Sequence, residues 1–133
     1  VATFVVDANV IVQAAIDAAG LGPLHGHELL APPVMPSQAL AALSEMYYRG
    51  EISSDLAEQA RPRLQTFPYE VRQPAGLEDL TWQLTRQLGW AKTYDAEYIA
   101  LARLLDCELV TLDGRLIRGA GHVARIVSPA ALV

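Results

Sequence analysis

Short unbroken apolar runs alternate along this chain with longer stretches in which apolar residues recur every three or four positions. Residues 3–6, TFVV, read as a buried strand. Asn9 stands where it caps a helix over residues 10–19, which Gly20 and Gly22 stop. A loop with His25 and His27 follows, then a short extended apolar stretch at 28–31, ended by Pro32 and Pro33. Ser37 is placed to cap the next helix, whose apolar side is Leu40, Leu43 and Tyr47 and whose end is Gly50. Asp55 and Glu58 have capping-box spacing for a further helix, which Pro62 kinks or ends. Residues 69–72 suit a strand. Leu77, Leu80, Leu84 and Leu88 have helical spacing up to Gly89, and Tyr94, Tyr98, Leu101 and Leu105 mark another amphipathic helix. CELVTLD at 107–113 and residues 123–127 read as the last strands.

Strands alternating with helices predict an α/β fold, a mostly parallel sheet flanked by helices. Such sheets carry their sites at the carboxyl ends of strands. Two predicted strands run into an acid, FVVD at Asp7 and LVTLD at Asp113. A carboxylate at the edge of an apolar layer is costly unless it is hydrogen-bonded, paired or metal-bound. Helix capping is the competing reading for each. A third acid, Asp95 in KTYDAEYIALA, lies near the start of its helix, where Thr93 is a rival cap.

Composition narrows the function classes. A chain of 133 residues, 52% hydrophobic, has enough apolar surface for one core and too much for disorder. No apolar run approaches the roughly 20 residues of a spanning helix, and the N-terminus lacks the features of a signal peptide. Cys107 is the sole cysteine, which leaves no disulfide framework or thiolate metal site. A soluble cytoplasmic protein is the expectation. The net charge of −5 argues against coating nucleic acid through bulk charge. It leaves room for cutting nucleic acid at an acidic, metal-loaded site.

VVDANV, TYDAEYIALARLLDCELVTLDGRL and the intervening APP, helix and RGEIS together resemble a PIN domain, and within that family the VapC-type toxin ribonucleases of toxin–antitoxin pairs. The resemblance covers nearly the whole chain and is most specific in its C-terminal part. It implies a PIN-like three-layer sandwich over residues 1–133 as a single domain. It also implies that Asp7, Asp95 and Asp113 belong to an acidic metal site, with RNA as substrate, a VapB-type antitoxin as partner and homodimers. Two unit charges 4 Å apart repel by about 4 kcal/mol at an effective dielectric near 20, so clustered carboxylates call for a cation or raised pKa values. Oxygen ligands with retained waters suit Mg²⁺ or Mn²⁺, and such an ion supports phosphodiester hydrolysis. Asn9 and Thr111 are candidate hydrogen-bonders behind the acids.

The pattern departs from the family at one position. Gln38 stands where a Glu is expected early in the helix after the AP segment. An amide offers a carbonyl oxygen but cannot carry charge or take a proton. Glu45 lies two turns on, about 10.5 Å along the axis, too far to replace it. A weaker nuclease, a module that binds RNA or antitoxin without efficient cutting, and a Glu-to-Gln inactivating change all stay open. The glycine-rich segment between Asp7 and the AP motif is short for the family. Arg115, Arg118 and His122 follow Asp113 closely enough to hold RNA phosphates, or simply to sit on the surface. His25 and His27 lack a third ligand, so a loop role is preferred to zinc. Met46, Tyr47 and Tyr48 suit either a partner groove or the core. A phospho-accepting receiver domain is excluded, because the only lysine, Lys92, does not follow a suitable acid.

Overall fold

The structure is a computed structural model and describes residues 1–132. Its strands are β1 (Thr3–Val6), β2 (Glu28–Ala31), β3 (Tyr69–Val71), β4 (Glu108–Val110) and β5 (Ile126–Val127). Its helices are α1 (Ala8–Ile16), α2 (Met35–Tyr48), α3 (Ser54–Thr66), α4 (Leu77–Leu88), α5 (Tyr94–Leu104) and α6 (Gly114–Ala120), with single 3₁₀ turns at Gly22–Leu24 and Pro129–Leu132. The strands form one sheet in the order β3-β2-β1-β4-β5, and every neighbouring pair is parallel.

The chain starts in the middle of this sheet, moves outward through β2 and β3, then returns past β1 to β4 and β5. Right-handed crossovers therefore put α1 to α3 on one face and α4 to α6 on the other. The result is the three-layer PIN-like sandwich. β1 and β4 are adjacent, with Val6 opposite Val110, and they lie where the direction of winding reverses. Their carboxyl ends make the crevice in which such folds place their sites.

Burial on both faces explains the unbroken apolar runs: Val5, Val6, Leu109 and Val110 are fully buried. α5 lies directly against β1 and β4. Its Ala96, Tyr98, Ile99, Ala100, Leu101 and Ala102 are all buried, and the three alanines among them let its backbone approach the sheet closely.

Several local expectations are corrected. α1 starts at Ala8, with Asp7 in the cap position, so Asn9 lies inside the helix and does not cap it. The helix stops at Ile16, because Asp17 turns extended. α2 starts at Met35 with Pro36 in its first turn, so Ser37 is not its cap. Its inward residues are Met35, Ala39 and Leu43, whereas Leu40 and Tyr47 are about half exposed, at 52% and 50%. Ser53, not Asp55, caps α3: its hydroxyl accepts from the Leu56 backbone N–H at 3.1 Å. Pro62 does not end α3, which runs on to Thr66. The last strand shrinks to Ile126–Val127. Gly89 does end α4, at φ 72°, a left-handed conformation open to glycine at little cost.

Candidate active site

Asp7 occupies the cap position of α1 but makes no capping bond with its side chain. Its carboxylate turns toward β4 instead, where Oδ2 accepts the Thr111 hydroxyl at 2.7 Å. Thr111 is fully buried and acts as a hub. Its oxygen also accepts from Asn9 Nδ2 at 3.3 Å and from the Asp113 backbone N–H at 3.1 Å. Asn9 returns to the same loop, its Oδ1 accepting the Leu112 N–H at 3.2 Å. One hydroxyl thus fastens the ends of β1 and β4 together and fixes how Asp7 and Asp113 stand relative to each other. Asn9 and Thr111 contribute by shaping this junction.

Asp113 caps α6, accepting the Arg115 N–H at 2.9 Å, and also pairs with the Arg115 guanidinium at 3.4 Å. Asp95 sits in the first turn of α5. It remains open to solvent and has no ion pair within 4.0 Å among the described residues.

The three acids titrate differently. Burial, reinforced by the charge of Asp95, pushes the Asp7 carboxyl up to about 6, although Thr111 and the N–H groups of Ala8 and Asn9 oppose the rise. Asp95 is exposed on its outer side, yet partial desolvation of its carboxyl against the cleft wall and the Asp113 charge raise it, with Arg115 pulling the other way. For Asp113 burial again favours the neutral form, but the Arg115 side chain and the backbone N–H groups of Arg115 and Leu116 outweigh it. They hold its carboxyl below the usual value. Asp7 thus feels Asp95, and Asp95 feels Asp113.

Asp95 and Asp113 line a cleft of about 450 Å³, together with Gln38, Trp90, Lys92, Tyr94, Arg115, Leu116 and Gly119. Asp7 lies outside that wall and is only 7% exposed. Arg115 is on the rim. Arg118, on the last turn of α6, folds back beside Gly114 rather than into the cleft. His122, Glu45 and His25 are exposed and apart from it. His27 accepts the Ala2 N–H at its Nδ1 and stacks edge-on against Phe4, a structural use of the loop histidine.

Several residues in this neighbourhood were not legible as site residues. Tyr98 falls three positions after Asp95 on α5, and its hydroxyl donates to Gln38 Oε1 at 2.7 Å. It is fully buried, and burial with the Asp7 charge raises its pKa well above the ordinary range, so it stays a donor. Trp90, Lys92 and Tyr94 alternate in the approach to Asp95, a spacing that could have marked them as one wall.

The carboxylate oxygens here suit a hard divalent cation that keeps some of its waters. The raised Asp7 and Asp95 carboxyls are what such a charge would relieve. Among the described residues no group of three or more His, Cys, Asp and Glu side chains is placed to hold a metal ion by itself.

No family model matches the chain. Ribonuclease VapC1 of Mycobacterium tuberculosis is 38% identical over 95 residues, which span 68% of this chain and 67% of that protein. Ribonuclease VapC9 of the same organism is 33% identical over 116 residues, 84% of this chain and 87% of the relative. The chain belongs to the VapC ribonuclease family. Solved structures agree at the level of fold. PAE2754 from Pyrobaculum aerophilum superposes with a TM-score of 0.71 at 20% identity, over 98% of this VapC chain and 87% of its own. A toxin–antitoxin complex from Klebsiella pneumoniae gives 0.65 at 15% identity, over 97% and 98%.

Proposed function

We propose that this VapC-family chain is a divalent-metal-dependent endoribonuclease, the toxin of a toxin–antitoxin pair. The observation that carries the reading is the buried Asp7 at the end of β1, bound through the Thr111 hydroxyl to the loop that carries Asp113; the raised Asp7 and Asp95 carboxyls agree with it. Acids with raised carboxyls at the winding reversal of a parallel sheet are what a bound divalent cation would relieve. Asp7 and Asp95 are the principal Mg²⁺ or Mn²⁺ ligands, directly or through water, and Asp113 completes the set. A cation held there would polarise the scissile phosphate and offset the charge that develops on it.

The chain's own residues do the rest. Thr111 orients Asp7. Lys92 and Arg115 attract the RNA backbone toward an otherwise acidic cleft. Trp90 and the half-exposed Tyr94 offer faces on which unpaired bases stack, which favours single-stranded RNA. The antitoxin is proposed to dock on the outer side of α2, where Leu40, Tyr47 and Tyr48 are 52%, 50% and 90% exposed, while Met46 packs on the core. A homodimer is the proposed assembly. No helix among the described residues is long and apolar enough to cross a membrane.

A second reading has one observation in its favour: position 38 carries an amide whose oxygen is already engaged by Tyr98. In that reading the domain binds RNA or antitoxin and cuts weakly. Cleavage of a broad panel of single-stranded RNAs, with Mg²⁺ or Mn²⁺ and with EDTA, separates the two. The nuclease reading expects metal-dependent cutting by the parent chain and loss in Asp95→Asn, whatever Gln38→Glu does. Cutting only after Gln38→Glu favours the binding module, and cutting by none of the three removes the nuclease reading.

A further inference from the structure

We propose that Gln38 serves the cleft as a hydrogen-bond donor, presenting its amide N–H to a phosphate oxygen of the substrate, and that Tyr98 locks it in this orientation. The inference rests on the reading of the cleft as a phosphodiester site. It concerns what position 38 does there.

Tyr98 is fully buried, so its O–H must find an acceptor inside the protein. The acceptor it finds is Gln38 Oε1, at 2.7 Å. An amide has one oxygen and one NH₂ group. With its oxygen facing Tyr98, Gln38 turns its nitrogen the other way.

Gln38 is half-buried and lines the cleft beside Asp95, Asp113 and Arg115. Its Nε2 donates to no protein group among the described residues. No buried side-chain polar atom among them lacks a partner, so this nitrogen meets solvent in the cleft. An NH₂ group repels a cation and attracts an anion. In this cleft, the anion that comes close to Gln38 in the course of the proposed reaction is the phosphate. Position 38 is then a substrate contact and not a ligand of the metal, and Tyr98 is its positioning residue.

The experiment has two readouts that do not depend on turnover. The first is calorimetric titration of Mn²⁺ into the parent chain, Gln38→Ala, Gln38→Glu and Asp95→Asn. The expected result is a Kd for Gln38→Ala within about twofold of the parent, because no ligand is lost, and about tenfold tighter binding in Gln38→Glu, which adds a charge. The second is the side-chain amide resonance of Gln38, identified by its disappearance in Gln38→Glu and followed as inorganic phosphate is added with Mg²⁺. It should shift in the parent, and the shift should shrink in Tyr98→Phe, which keeps the ring but releases the amide. A weakening of Mn²⁺ binding by about tenfold in Gln38→Ala would make the carbonyl a metal ligand and overturn the proposal. An amide resonance unmoved by phosphate would overturn it equally. If the parent chain binds no Mn²⁺, the metal reading of the cleft itself fails, an outcome distinct from either.

Discussion

Asp7→Asn should stabilise the metal-free protein at neutral pH, although it removes a residue proposed to be essential. The exchange keeps the size of the side chain and an oxygen for the Thr111 hydroxyl, and it removes the buried charge. In the folded chain the Asp7 carboxyl rises from 3.8 to about 6. Between those values the folded state holds a proton that the unfolded state has released. Stability from this residue therefore falls as pH rises through that window, and the loss is complete above about 6. At 1.36 kcal/mol per pKa unit the ionised carboxylate costs about 3 kcal/mol at pH 7.5, an order-of-magnitude figure for a group that is almost fully buried. Urea unfolding in EDTA at pH 7.5 should show Asp7→Asn more stable than the parent by about 2 to 3 kcal/mol, with the gap narrowing toward zero near pH 4. Saturating Mg²⁺ should close or reverse the gap, since only the parent keeps the charge that attracts the cation. If Asp7→Asn is the less stable chain in EDTA at pH 7.5, or if the gap is the same at both pH values, Asp7 does not carry a strained charge and the electrostatic case for a cation is lost.

Thr111→Val keeps the shape of the hub and deletes its three hydrogen bonds. It should cost about 2 to 3 kcal/mol by urea unfolding and raise the Asp7 pKa further, as read by carboxyl NMR titration. Trp90→Ala and Tyr94→Ala should each weaken single-stranded RNA binding by roughly tenfold in a fluorescence titration on an Asp95→Asn background, stacking being worth about 1 to 3 kcal/mol per base. Unchanged affinity in both would clear the aromatic wall of a role. Tyr47→Ala and Tyr48→Ala should weaken capture of the co-expressed antitoxin while leaving the melting temperature nearly unchanged, because both side chains are largely exposed. Met46→Ala should lower the melting temperature, because Met46 packs on the core.

The architecture was legible because a parallel sheet writes itself as short apolar runs between helical periods, and β1, β4, α4 and α5 all follow that rule. Helix starts were harder. Asn9 and Ser37 have the composition of caps, but tertiary bonds and Pro36 decided otherwise: Asn9 is drawn to Thr111 and Leu112 across the sheet edge, and α2 begins two residues before Ser37. The apolar side of α2 was misjudged because Leu40 and Tyr47 have the right spacing for a face that is not covered by the rest of the chain. Among the acids, the ends of FVVD and LVTLD announced themselves through cost, as carboxylates closing apolar strands. The contribution of Tyr98 was hidden. A tyrosine at helical spacing reads as core, which it is, and only the fold reveals that its hydroxyl meets Gln38.

The central claim is that Asp7 and Asp95, with Asp113 beside them, hold a divalent cation where RNA is cut. Anomalous scattering from a crystal soaked in Mn²⁺ tests it most directly. A manganese peak is expected in the cleft within coordinating distance of the Asp95 carboxylate and of Asp7, directly or through one water, with the Gln38 nitrogen outside the coordination sphere. A cleft without manganese at saturating concentration, or an ion bound by residues other than these acids, would contradict it.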